Sequence, residues 1–298
     1  PSVMGLPTIA NLSANYTKIA ALAEENGVST IFVNSTLRES FLAQAIAAST
    51  GFSEYYGKED MPLLLDYFSE EKDRNLGWDY ETLIFSLEKI KNRKTPFLAF
   101  ISLSTDHTPF PKLNEPFNRF PHHATEEGGY LNSLHYTDWA IGEFFSKAKE
   151  EPWFQKTIFV ITADHVLAHY QKDGFLERFR IPLIFYAPAL LKPKVIETVS
   201  SHLDLMPTFI EFMGLDAEYT AFGTSLLRKQ ESFALVREGS LVGIITDRAY
   251  LKHSLSRRME SGKLVDNVPD SYFDKLEARL LAWDRVAYDL TRKNRWAP

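Results

Sequence analysis

Two stretches decide the fold: FLAFISLSTDH at 97–107 and TIFVITADH at 157–165. Each is a near-continuous run of β-branched and aromatic residues that closes on an Asp-His pair, Asp106-His107 in the first and Asp164-His165 in the second. Half-exposed strands alternate apolar and polar residues; continuous runs of this kind read as strands covered on both faces. STIFVN at 29–34 and IPLIFYA at 181–187 share the character. Between the runs, the spacing predicts helices at 15–26 with Gly27 as the stop, at 37–48, 80–91, 129–150 and 205–213. Buried strands separated by helices predict an α/β fold, a mostly parallel sheet with helices on both faces. GFSEYYGKED at 51–60 and the Pro-rich 108–124 read as loops. After residue 227 the pattern changes. FALVREG, LVGIITD and AYLKHSL follow in close succession, and a helix is predicted at 271–285. The expected division is therefore an α/β core over 1–227 and a small antiparallel α+β subdomain over 228–298.

Composition narrows the function classes. The 298 residues are 45% hydrophobic and 24% charged, which excludes a disordered chain. With 33 Lys and Arg against 39 Asp and Glu, the net charge of −6 offers no basic footprint, so no nucleic-acid partner is expected. The absence of Cys excludes disulfide scaffolds, thiolate zinc, iron–sulfur clusters and a Cys nucleophile. No stretch approaches the ~18 consecutive apolar residues of a membrane span. The chain opens on Pro1 in PSVMGLPTIA, and it reads as a soluble piece of a longer parent protein.

Ligands of open α/β sheets gather beyond the carboxyl ends of the strands, which is where both Asp-His pairs fall. A carboxylate and a neutral imidazole together suit Zn²⁺ or Mn²⁺, and a sharp turn after a strand aims neighbouring side chains at one ion. His169 follows His165 by one helical turn and is placed to touch a substrate oxygen. The plainer reading makes Asp164 a helix cap and the imidazoles surface groups. His202 and Asp204 in SHLDLMPTF read as an orienting residue and a cap. Tyr136 and Asp138 read as packing or buried hydrogen-bonding groups, His122 and His123 as exposed, and Arg257-Arg258 as solvated charge. Dinucleotide, P-loop, HExxH and GxSxG signatures are absent.

The ordered series STDHTPF, YLNSLHYTDWAIGEFF, TIFVITADH, FRIPLIFYAP, SHLDLMPTFIEFMGL and FGTSLL resembles the sulfatase-like branch of the alkaline phosphatase superfamily, above all lipoteichoic-acid synthases and related phosphoglycerol transferases. YDL at 288–290 is similar to the closing motif of sulfatases, without the acidic residues that usually follow. The resemblance implies a transferase or hydrolase of phosphodiesters or sulfate esters that depends on a divalent metal (Mn, Zn, Mg or Ca). It implies that Asp164 and His165 bind the metal, that His107 contacts the transferred group or the leaving oxygen, and that His169 holds substrate. Arg38 is a looser match to a substrate-binding arginine. Val33, Asn34 and Phe41 stand where the synthases carry substrate-gripping His, Trp and Arg residues. The family nucleophile and an acidic ligand are expected before Pro1, so the piece alone is expected to bind metal poorly and to be prone to self-association. The resemblance further implies a small-molecule or lipid-linked substrate and a parent anchored in the membrane, with this domain on the extracytoplasmic (periplasmic) side. A true sulfatase with an upstream formylglycine and a non-catalytic binding module are the competing readings.

Overall fold

A computed structural model describes residues 15–72, 74–93, 96–167, 174–228 and 233–296. These pack as two compact units, one of residues 18–154 and the other of 15–17 with 155–296. In the first, helix α1 (Ile19–Glu25) leads into strand β1 (Ser29–Asn34), followed by α2 (Ala43–Thr50), β2 (Glu54–Tyr56), the single turn α3 (Ser69–Lys72), α4 (Asp79–Ile90), β3 (Phe97–Ser102) and α5 (Glu127–Ala148). The strands form a parallel sheet in the order β2-β1-β3, with Ile31 opposite Ala99 and Glu54. Five of the six β1 residues are buried, the polar Thr30 and Asn34 with the apolar Ile31, Phe32 and Val33, as suits a central strand. Ile31 and Val33 pack with Ile90, Phe85, Phe97 and Trp153. Phe32 meets Phe52, Tyr55 and Phe100 ring against ring.

Two expectations change here. The segment 51–60 is not all loop, because Glu54–Tyr56 adds a third strand. Three residues at a sheet edge are too short to show a period. The helix expected from 37 begins at Ala43, since Phe41 and Leu42 take positive φ values of 54° and 58° and break the helical path.

A second cluster lies around α4 and α5. Trp78, 2% exposed, stacks on Tyr67 at 3.6 Å between ring centroids, with Tyr136 edge-on at 5.9 Å. Glu81 is buried among them and accepts from the Tyr67 hydroxyl at 2.7 Å and from the peptide N–H groups of Leu64 and Leu65. Burial pushes the Tyr67 and Tyr136 phenols far up, so both stay protonated donors. Tyr136 is thus the buried hydrogen-bonding group expected, whereas Asp138 is exposed. Gly77 lets this segment close on the end of β1, for a Cβ there would lie 2.1 Å from the Ser35 carbonyl oxygen.

In the second unit β4 (Phe159–Thr162) pairs with β5 (Leu183–Tyr186), followed by α6 (Leu205–Met213). This pair is antiparallel, with Val160 opposite Phe185, so these two runs depart from the parallel arrangement of β1 and β3. Strands β6 (Phe233–Glu238), β7 (Leu241–Thr246), β8 (Ala249–His253) and β9 (Arg258–Lys263) form an antiparallel meander, covered by α7 (Asp270–Lys293). Val242, Ile244, Leu251, Phe273, Leu276 and Leu280 build its core. The helix runs eight residues beyond the expected 285 and contains the YDL motif. Arg258 is not simply solvated. Its guanidinium binds Glu277 and Asp274, while the Glu277 carboxylate also accepts from buried His253 at 2.9 Å.

Trp78→Ala is expected to cost about 3–5 kcal/mol by removing a fully buried ring, measured by denaturant unfolding. Arg258 and, less strongly, His253 hold the Glu277 carboxyl below the usual carboxylate range. The stability this supplies is complete above the ordinary glutamate value and is lost as pH falls through the depressed folded-state value. Glu277→Gln should therefore lower stability most at neutral pH and flatten the acid limb of a stability–pH profile, the two proteins converging at low pH.

Candidate active site

Beyond the carboxyl end of β3 the chain turns through Ser104, Thr105 and Asp106 to His107. Ser104 and Thr105 are buried, and His107 is exposed. The turn is closed by the His107 N–H donating to the Ser104 carbonyl at 3.1 Å. Its peptide groups are met by Asp79, the first residue of α4, whose Oδ1 accepts from the N–H of Ser104 at 2.9 Å and of Thr105 at 3.0 Å. The Ser35 hydroxyl donates to the Ser104 hydroxyl at 2.6 Å and ties the ends of β1 and β3 together. The imidazole of His107 donates from Nδ1 to the Thr108 carbonyl at 2.6 Å. A carbonyl oxygen only accepts, so Nδ1 carries a proton, and Nε2 is the nitrogen left outside this bond. The ring lies 5.7 Å from that of Phe41, which is 62% exposed.

The turn after β4 repeats the pattern. His165 donates from Nδ1 to the Val166 carbonyl at 2.7 Å, again leaving Nε2 outside the bond. Asp164 Oδ1 accepts the His165 N–H at 2.8 Å, and Asp164 Oδ2 lies 3.5 Å from His165 Nε2. Both side chains are well exposed. The His165 Nε2 and the Asp164 carboxylate thus share one side of the turn. Two ligand atoms on an ion with bonds of about 2.0–2.2 Å lie ~3.0–3.5 Å apart, so the pair fits two positions of a divalent metal. Among the described residues no group of three His, Cys, Asp or Glu side chains is gathered to hold an ion. Asp164 and His165 therefore stand together without a third such side chain beside them among the described residues.

His202 and Asp204 keep the supporting roles read from the sequence. His202 Nε2 donates to the carbonyl of Ala163, the residue before Asp164, at 2.8 Å. Asp204 accepts from the N–H of Ser201 and of Thr224, both at 2.8 Å. Gly223 permits that approach, since a Cβ there would lie 2.0 Å from the Leu203 carbonyl oxygen. His169 lies outside the described residues.

Arg38 lies in the loop after β1, at the wall of a shallow cleft of about 420 Å³ lined by Leu37, Glu39, Ser40, Gln44 and Glu59. Its Nη2 binds both carboxylate oxygens of Asp60, at 2.6 and 2.5 Å. That pairing raises the guanidinium further above its ordinary value. His123 is exposed as expected, but His122 is half-buried and burial lowers its ring below the ordinary histidine range. Asp79 was not legible as a site residue. Its sequence signal is its place just before the expected helix at 80, where a side chain caps or clamps.

Comparison with known proteins bears directly on this arrangement. The Sulfatase family model matches residues 2–215, a span that takes in both Asp-His pairs. Lipoteichoic acid synthase 1 of Bacillus subtilis (strain 168) is 23% identical over 269 residues, 81% of this chain and 40% of its own length. The lipoteichoic acid synthase-like protein YvgJ of the same organism is 24% identical over 214 residues, 64% of this chain and 34% of its own. The chain thus spans about a third to two-fifths of these relatives. A crystal structure of an alkaline phosphatase superfamily protein from Vibrio parahaemolyticus superposes with a TM-score of 0.79 at 19% identity, covering 100% of this chain and 74% of that one, and it establishes the shared fold. With its Asp-His turns set at the strand ends inside the matched span, the chain belongs to the Sulfatase family.

Proposed function

We propose that the protein is a divalent-metal-dependent transferase or hydrolase acting on phosphodiesters of the phosphoglycerol type, a reading drawn from its two strand-end Asp-His turns, each taken by itself. The observation behind this reading is their common geometry. In each, Nδ1–H is tied to the carbonyl of the next residue, and Nε2 is left as the working atom. In a loop of only surface histidines nothing requires the same tautomer twice.

Asp164 and His165 are assigned as metal ligands, with His202 steadying the Ala163 carbonyl just before them. A divalent ion held there supplies charge neutralisation at the non-bridging ester oxygens and a lowered pKa for a hydroxyl nucleophile. His107 is assigned as the general acid. As an imidazolium it keeps its Nδ1–H bond to Thr108, and Nε2–H delivers a proton to the leaving alkoxide, so that the negative charge developing on that oxygen is quenched as the bond breaks. His169 and Arg38 are assigned to substrate. Asp60 occupies Nη2 and the Tyr55 carbonyl accepts from Nη1 at 3.5 Å, so Arg38 meets the substrate as a neutralised pair. The core of the enzyme is taken as 1–227 and the meander with α7 as its C-terminal subdomain. The relatives named as lipoteichoic acid synthases favour a lipid-linked phosphodiester substrate and an extracytoplasmic site of action. Among the described residues no helix is long and apolar enough to cross a membrane.

The intact protein, assayed with Mn²⁺ on a chromogenic phosphodiester and on the matching aryl sulfate, tests the reading. Turnover of the phosphodiester supports it, and turnover of the sulfate alone replaces it with a sulfatase. Asp164→Ala should abolish saturable Mn²⁺ binding in calorimetry together with turnover; unchanged metal affinity would contradict the ligand assignment. His107→Ala should lower kcat by about 10²–10⁴ with Mn²⁺ affinity retained, the range of a lost general acid.

A further inference from the structure

Asp79 is a wholly buried carboxylate that the proposed chemistry does not use. Besides accepting the two peptide N–H groups of the turn, it donates its own N–H to Thr105 Oγ1 at 2.9 Å and accepts from the buried Thr137 hydroxyl of α5 at 2.5 Å. It therefore joins α4, α5 and the exit of β3 at a single side chain. Sequestering a carboxylate from water is costly, and a neutral group of similar shape would pack there without that cost. The bonds are placed where they control something. Ser104, clamped by Asp79, provides the carbonyl that receives the His107 N–H, and the next link is the Nδ1–H bond from His107 to Thr108.

We propose that Asp79 is the positioning residue of His107: by holding the peptide groups of Ser104 and Thr105 it fixes the turn in which Nδ1 is protonated and Nε2 is presented. The inference rests on the reading of His107 as the acid only for its effect on turnover, since the tautomer is observable without any activity. Glu81 provides the matched control. It sits one half-turn along the same helix and is buried to a similar degree, yet it bonds Tyr67, Leu64 and Leu65 rather than the turn.

The experiment is a long-range ¹H–¹⁵N spectrum of the histidine rings in the intact protein, with steady-state kinetics and thermal unfolding, for Asp79→Ala, Asp79→Asn and Glu81→Gln. The wild type should show His107 in the Nδ1–H tautomer. Asp79→Ala should give a mixture of tautomers and a kcat at least tenfold lower with KM within twofold. Asp79→Asn keeps an oxygen for both peptide N–H groups and should restore the tautomer and most of kcat. Glu81→Gln should lower Tm and move neither readout. A folded Asp79→Ala protein with the wild-type tautomer overturns the proposal, as does a Glu81→Gln protein that loses the tautomer equally. If Asp79→Ala does not fold, Thr105→Val removes one bond of the clamp: a shifted tautomer population supports the proposal and an unchanged one overturns it. A His107→Ala protein with full turnover would refute the acid assignment and leave the tautomer test of Asp79 standing.

Discussion

Peptide groups that leave a sheet must find new partners, and at the carboxyl ends of its strands this chain supplies them from side chains, Asp79 and Ser35 buried and His202 exposed. Asp79 meets the N–H groups after β3, Ser35 joins the ends of β1 and β3, and His202 meets the carbonyl before Asp164. Each of these bonds lies one to three residues from a histidine whose own Nδ1–H is then spent on a neighbouring carbonyl. The exposed imidazoles are thus carried by turns whose backbone is held by side-chain bonds, which is how a scaffold can present a group without burying it.

The supports themselves have supports. The helix that begins at Asp79 is anchored by Trp78 stacked on Tyr67 and by Glu81 satisfied on both oxygens. The loop that bonds Asp204 approaches only because residue 223 is a glycine. A polar network of this kind is stable only when every member is satisfied, so it ties the exposed turns to the integrity of the core behind them.

Much of this was legible in the sequence where the physics is local and repeated. The runs at 29–34 and 97–102 are strands as their composition predicts, the first buried over five of its six residues and the second only partly covered, with Phe100 half-exposed. What escaped depended on contacts distant in sequence. Glu54–Tyr56 is a strand because β1 lies beside it, since three residues carry no period. The direction of β5 against β4 could not be read, because four-residue apolar runs look alike in parallel and antiparallel pairs, and neither of these strands is fully covered. Asp79 reads as an ordinary acidic residue at a helix start, and only the return of β3 25 residues later gives its carboxylate a task. Arg38 matched a substrate arginine by type and place, but its bidentate partner Asp60 lies 22 residues away and was not foreseen.

The central claim is that the Asp164-His165 turn binds a cation through the carboxylate and through Nε2, the nitrogen that the bond to Val166 leaves open. Anomalous diffraction from crystals of the intact protein grown with Mn²⁺ measures this directly. The account predicts a peak within bonding distance of both an Asp164 carboxylate oxygen and His165 Nε2. A manganese peak that touches neither atom, or His165 turned so that Nδ1 becomes the ligand, would contradict it.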